Sequence, residues 1–330
     1  MKIGLHYSFQ VAPDERSDVV IRNGLDDIAW ADAHGFSCAV FAEHHFFDDG
    51  WIPRPLQLAA AAAAVTRRMR VGSDIVILPL VHPVVLAEEA ALVDVISGGR
   101  FVLGVGLGWM QSEYDGFGVP FRQRARIYER SIGLLRRLLA GEVVSDEEGH
   151  HKFSNARVRP RPVGPMPLWM GGVADVALAR VARLGDAWIM HPGGTLTELK
   201  CQQAILDAAR AAAGLPPMRE RPLRREIFVA ENDRKAWELF APGLRHEYGH
   251  VYRDLYPSYP ADDSIDGLRK WGEGKVLVGS VETVTDQLLE FERELGATEC
   301  LVRFQLPLVP RQAVRECLDG LAEVIRRQSR

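Results

Sequence analysis

Short apolar runs rich in β-branched and aromatic residues alternate with longer amphipathic stretches along the whole chain, and this alternation limits the fold more than any other feature. Eight runs read as strands: Lys2 to Tyr7, Ser37 to Ala42, Arg70 to Leu78, Phe101 to Val105, Pro167 to Met170, Ala187 to Met190, Arg225 to Ala230 and Glu299 to Phe304. Between them, Asp18 to His34 sets Val19, Val20, Ile28 and Ala31 at helical spacing. Arg126 to Leu139 gathers Ile127, Ile132, Leu135 and Leu139 on one face, with arginines opposite. Strand–helix alternation calls for a parallel sheet joined by crossover helices. Eight such units predict an α/β chain of the (β/α)8 TIM-barrel type, with an open doubly wound sheet as the alternative.

No compositional linker or internal repeat divides the chain, so residues 1–330 read as one domain, a length that α/β barrels commonly reach. Two stretches are too long for plain connections. Residues 142–167 are rich in Pro, Gly and charge and read as an inserted loop or lid. Residues 232–275 carry Tyr248, Tyr252, Tyr256 and Tyr259 among charges and read as an inserted helical excursion, a usual place for substrate contacts.

The formal net charge is -4, so no basic field marks nucleic acid as a partner. The longest apolar run, near Leu58 to Val65, is mostly alanine and far short of a membrane span. The opening residues lack the basic and apolar regions of a signal peptide. Cys38, Cys201, Cys300 and Cys317 are scattered without a CxxC pair. They read as reduced thiols of a cytoplasmic chain rather than a metal site or disulfide frame.

Several motifs carry candidate chemistry. His44 and His45 follow the second strand, where barrel enzymes place catalytic groups. Either they act as acid, base or hydrogen-bond donor, or one is simply buried and bonded to backbone. Metal binding is not expected: neighbouring side chains on an extended segment diverge, and no third ligand is near. Gly104, Gly106 and Gly108 precede Trp109 as GxGxG, not the GxGxxG of a dinucleotide fold; they form either a close approach to a flat ligand or a bare turn. Gly171, Gly172 and Val173 open a helix from Val176 to Leu184. They make either a phosphate site or an ordinary tight turn. Asp74 interrupts the apolar run Val71 to Leu78 and faces either a ligand or a salt-bridge partner. Arg122, Arg124 and Arg126 precede a helix, as a solvated face or as a source of one phosphate or carboxylate contact.

Taken together these pieces resemble the bacterial luciferase-like flavin oxidoreductases. The resemblance runs through Glu43-His44-His45-Phe46, Leu78-Pro79, His82-Pro83, Ala87-Glu88 and Asp94. Its most specific part is Ser97-Gly98-Gly99-Arg100-Phe101 continuing into Leu103-Gly104-Val105-Gly106. Phe117-Gly118-Val119-Pro120, Arg124, Glu129, Pro167-Leu168-Trp169-Met170-Gly171-Gly172 and Leu184-Gly185-Asp186-Ala187 follow in order. The resemblance implies a barrel with insertions, commonly dimeric, that uses reduced FMN with O2 or a deazaflavin coenzyme as hydride carrier. It implies His44 and His45 as catalytic residues. Asp74, Gly106, Trp109, Arg124, Gly171, Gly172 and Val173 become cofactor-binding residues, with the phosphate at Gly171 to Val173 and a non-proline cis peptide around Ser73 to Ile75.

The luciferase branch has a phosphate arginine where Leu107 stands here, and Arg124 is the substitute. The histidine pair matches that branch; where the best-known deazaflavin enzymes carry a tryptophan after the histidine and a glutamate after the fourth strand, this chain has Asp48 and Trp109 near those places, with Trp51 and Glu113 close by. The function so implied is an FMNH2-dependent monooxygenase acting on a small organic molecule through a C4a-hydroperoxyflavin, fed by a separate flavin reductase and homodimeric. The alternatives are a deazaflavin-dependent dehydrogenase or reductase, and a non-catalytic flavin-binding protein.

Overall fold

Parallel strands covered on both faces need apolar residues at every position, and the central runs supply them. In the computed structural model, which describes residues 1–251, 253 and 258–328, every residue of Cys38–Phe41 and Phe101–Gly106 is buried. The elements in chain order are β1 (Lys2–Tyr7), α1 (Ser17–Ala33), β2 (Cys38–Phe41), α2 (Pro55–Val65), β3 (Arg70–Ser73), β4 (Val76–Ile77), α3 (Pro83–Ser97), β5 (Phe101–Gly106), α4 (Gln111–Gly116) and α5 (Arg124–Leu139). There follow β6 (Val144–Asp146), β7 (Phe153–Ala156), β8 (Leu168–Gly171), α6 (Asp175–Leu184), β9 (Ala187–Ile189), α7 (Leu196–Ala212), β10 (Pro222–Val229) and α8 (Asp233–His246). A π-helical turn (Glu247–Val251) then leads to α9 (Ile265–Gly272), β11 (Val276–Gly279), α10 (Val281–Leu295), β12 (Glu299–Arg303) and α11 (Arg311–Gln328).

Among the described residues, ten strands form one curled parallel sheet. Nine follow the order β11-β10-β12-β1-β2-β3-β5-β8-β9, and β4 lies against β5. Isolated parallel bridges also join Ala187 to Glu220 and Met190 to Leu223; the Met190 N–H donates to Pro222 O at 2.9 Å and the Arg224 N–H to Met190 O at 3.1 Å. Alternate residues of each strand face opposite ways. Ala39 and Phe41 join the large core shared with the helices. Cys38, Val40, Val102, Trp169, Ala187, Ile189 and Leu301 form a second apolar cluster of strand residues only. That cluster fills the concave side of the sheet and floors the site above it.

The helices follow their sequence patterns. α5 buries Ile127, Tyr128, Ile132, Leu135 and Leu138 on one face, and α7 begins with a Thr195–Glu198 capping box. No helix among the described residues is long and apolar enough to cross a membrane.

Three strand readings change. The run Arg70 to Leu78 is not one strand: it breaks between β3 and β4 at a cis Asp74–Ile75 peptide, where the family resemblance placed one. β10 starts at Pro222 rather than Arg225 and so includes Arg224. β11, only four residues long, went unforeseen. Within 142–167 lies the antiparallel hairpin of β6 and β7; within 232–275 lie α8, the π-helical turn and α9. Tyr252 and Tyr256 lie outside the described residues.

Candidate active site

Because every ladder of the sheet is parallel, the C-terminal strand ends share one rim. A cavity of about 510 Å3 opens there, lined from β1, β2, β3, β5, β8, β9 and β10 or the residues just after them. His44, Asp74, Trp109, Gly171, Gly172 and Val173 all line it. His45, Gly106 and Arg124 do not.

His44 is buried and fixed by Glu113, a fully buried carboxylate from α4. Glu113 Oε1 already accepts the His45 backbone N–H at 2.9 Å; it therefore also accepts from His44 Nδ1 at 2.9 Å. That contact puts a hydrogen on Nδ1. Aromatic rings frame the imidazole: Trp51 stands edge-on at 4.6 Å, Phe47 at 5.3 Å and Trp109, which is 38% exposed, at 5.9 Å.

His45 points elsewhere. Its Nε2 meets Glu43 Oε1 at 2.8 Å while Glu43 Oε2 accepts the Ile77 N–H at 3.1 Å, tying the end of β2 to β4. This is the buried, satisfied histidine that the sequence left open, with a carboxylate rather than backbone as partner. Gly106 packs beneath the cavity wall: a Cβ there would sit 1.7 Å from Ile75 Cδ1, so any larger residue would force the Ile75 side chain to shift. Arg124 lies in the first turn of α5. Its Nη1 donates to Phe121 O at 3.0 Å and its guanidinium covers the Phe121 ring at 3.8 Å.

Asp74 stands opposite His6 of β1, with Oδ2 at 3.6 Å from His6 Nε2. His6 Nε2 also lies 3.2 Å from Asp74 O; a carbonyl only accepts, so Nε2 carries the proton. Burial pushes the Asp74 carboxyl up to about 6, against a smaller opposing pull from Arg224. Burial, then Arg224 and Arg303, hold His6 well below the ordinary histidine value. His191, just past β9, is likewise lowered to about 4 by burial and then by Arg225. Arg225 in turn fixes that loop by donating from Nη1 to His191 O at 2.9 Å and from Nη2 to Gly194 O at 2.8 Å.

At the other end, Gly171, Gly172 and Val173 lead into α6, whose N-terminus has no side-chain cap. Such an end attracts anions. Arg180, one helical face along, also lines the cavity while its Nε donates to Glu129 at 2.8 Å.

Sequence reasoning missed His6, Arg180, His191 and Arg224. His191 was detectable by the logic used for His44, a histidine at a strand's C-terminal end. His6 was detectable as the polar member of an alternation in which Ile3, Leu5 and Tyr7 face the helices.

Comparisons with known proteins bear on the fold and the family. A 4-hydroxyprotoasukamycin monooxygenase of Streptomyces nodosus subsp. asukaensis is 26% identical over 91% of this chain and 85% of its own. Among solved structures, the monooxygenase RslO1 of Streptomyces bottropensis covers both chains fully at TM-score 0.88 and 22% identity. The FMN complex of the oxygenating constituent of 3,6-diketocamphane monooxygenase from Pseudomonas putida covers 98% of each chain at TM-score 0.79 and 19% identity. An F420-dependent secondary alcohol dehydrogenase bound to an F420–acetone adduct covers 98% of each at TM-score 0.78 and 17% identity. These three share the fold. The model of the luciferase-like monooxygenase family matches residues 1–299, and the chain belongs to that family.

Proposed function

We propose that the chain is a monooxygenase that uses reduced FMN and O2 to oxygenate a small organic substrate. In this reading the bridges between β9 and β10 are the seam of a closed (β/α)8 barrel, and the cavity at its rim is the active site. The observation that carries it is the placement of His44, wired to Glu113, on the wall of a cavity whose far end is the uncapped start of α6.

The residues suit the cofactor. About 510 Å3 lies within the ~300–1,000 Å3 of small-molecule and cofactor sites. Gly171, Gly172 and Val173 would hold the phosphate with backbone N–H groups, and Arg180 would add a cation there. Arg124, spent on Phe121, does not reach this end. Bound there, reduced FMN would supply the two electrons for reduction of O2, with one oxygen atom going to the substrate and the other leaving as water.

The chain's own share is positioning and proton control. The His44 imidazole, held through Nδ1, would give or take a proton at the reacting centre. Trp109 and Tyr248 wall the cavity and exclude water. Asp74 offers a hydrogen-bonding carboxyl near its titration point. His45 holds Glu43 and thereby the loop that presents His44.

One observation favours a second reading. Trp51 and Glu113 both contact His44, and these are the residue types that the resemblance associates with deazaflavin enzymes. A deazaflavin-dependent dehydrogenase or reductase, with His44 as acid or base, would use the same cavity. Competition decides: reduced FMN should bind to the purified protein, and reduced deazaflavin coenzyme should not displace it at equal concentration. Displacement would favour hydride transfer.

A separate flavin reductase would supply the reduced cofactor, and the active form would be a homodimer. Val85, Leu92, Val95 and Ile96 expose an apolar face on α3 that suits burial against a second copy.

A further inference from the structure

Arg303, the last residue of β12, is fully buried and is not part of the cavity wall. Its contacts nevertheless reach both sides of the cavity. Nη1 pairs with the fully buried Glu247 at 2.7 Å. Glu247 opens the π-helical turn whose next residue, Tyr248, lines the cavity. Nη2 donates to Ser8 Oγ at 3.1 Å and to Gln10 Oε1. Gln10 passes the connection on, donating from Nε2 to Asp49 Oδ2 at 2.6 Å; Asp49 Oδ1 accepts the Trp51 N–H at 3.3 Å. The guanidinium also lies over the Trp51 ring, 5.2 Å from its centre. Trp51 is the ring that stands edge-on to His44, and the His44 N–H donates to Ile52 O at 3.0 Å.

Two branches therefore leave one side chain, one ending on the His44–Trp51 wall and the other on the Tyr248 wall. A planar fork with five N–H donors can serve Glu247, Ser8 and Gln10 together, whereas an ammonium cannot reproduce that geometry. Stability alone gives no reason for the arrangement, since apolar residues of similar size often replace buried ion pairs without loss.

We propose that Arg303 is a positioning residue that couples the His44–Trp51 wall to the Tyr248 wall and so sets the width of the cavity. The assignment of that width to substrate choice rests on the cavity being the active site.

Hydrogen–deuterium exchange on the full chain, read by mass spectrometry, tests the coupling without needing a cofactor. Arg303→Lys keeps the charge near Glu247 but loses the fork. It should raise exchange about fivefold or more across residues 43–52 and leave residues 247–251 near wild type. Glu247→Gln should raise exchange at 247–251 and also at 43–52, on the other side of the cavity. Asp49→Asn, at a partly buried site, should raise it at 247–251 in return. Changes confined to the substituted side in both of these last variants would overturn the proposal. If Arg303→Lys unfolds, the other two variants still decide. Reduced FMN titration of the same samples separates the two ideas: absence of binding to the wild type sinks the monooxygenase reading, while the exchange pattern alone judges the coupling.

Discussion

Asp74→Asn should flatten the pH dependence of stability in a way that follows from where this carboxyl sits. Its side chain is enclosed by the cavity floor beside His6, and burial raises it to about 6 from the 3.8 of a free carboxyl. A raised value means that the folded chain holds the proton more tightly than the unfolded one. The contribution of the neutral acid is therefore fully present below about pH 4 and is lost as pH rises through 6. The full difference is about 3 kcal/mol, of which about 1.4 kcal/mol falls between pH 5 and pH 8. Asparagine keeps the shape and never ionises. Urea denaturation of wild type and Asp74→Asn at pH 5, 6, 7 and 8 should show the variant gaining on the wild type by about 1–2 kcal/mol across that range. His191 is present in both chains and cancels in the difference. His6 cancels only in part, because an ionised Asp74 eases its protonation. Parallel curves, or a wild type that gains on the variant as pH rises, would refute the reasoning. That outcome would mean that Arg224 outweighs burial and keeps Asp74 ionised.

Four further outcomes are expected. Glu113→Gln removes the carboxylate that fixes the His44 tautomer and should lower turnover about 10–100-fold, the worth of a charged hydrogen bond, with reduced FMN affinity nearly unchanged; steady-state kinetics beside cofactor titration check this. Gly172→Asp should weaken FMN about tenfold and spare riboflavin, because only FMN brings a phosphate to that end; equal losses would move the phosphate site. Gly24→Ala would gain up to about 1 kcal/mol as an ordinary helix substitution. Here the new Cβ meets the buried Phe9 ring at 2.1 Å, and overpacking of about 1–3 kcal/mol should win, lowering the melting temperature. Leu92→Asp on the exposed face of α3 should yield monomers in sedimentation velocity if that face joins two copies.

Much of the fold is legible because buried parallel strands write themselves as apolar runs; Cys38–Phe41 and Phe101–Gly106 were clear for that reason. The bend at Asp74 was visible only as a misfit, a polar residue within such a run. β11 was not legible, since the short run Val276–Gly279, just past a helical excursion, carries no period. His44 and Gly171 to Val173 fall on the cavity wall because they sit at strand ends, which in a parallel sheet share one rim. Arg124 was not resolved, because its position within the first turn of α5 depends on a helix start that propensity leaves loose by a residue or two. Glu113 lies 69 residues from His44, and only the folded sheet brings α4 over the end of β2. His6, Arg224 and Arg303 are charged or polar members of strands; which side of the sheet is concave decides their role, and a linear chain does not carry that information.

The central claim is that this cavity binds reduced FMN and controls its reaction with oxygen. The direct measurement is anaerobic titration of the purified protein with reduced FMN, followed by rapid mixing with O2 while absorbance is recorded. Saturable binding, and an absorbance transient that outlives the one seen with free reduced FMN and shortens in His44→Ala, are the predicted results. No binding, or reoxidation indistinguishable from that of free reduced FMN, would contradict the account.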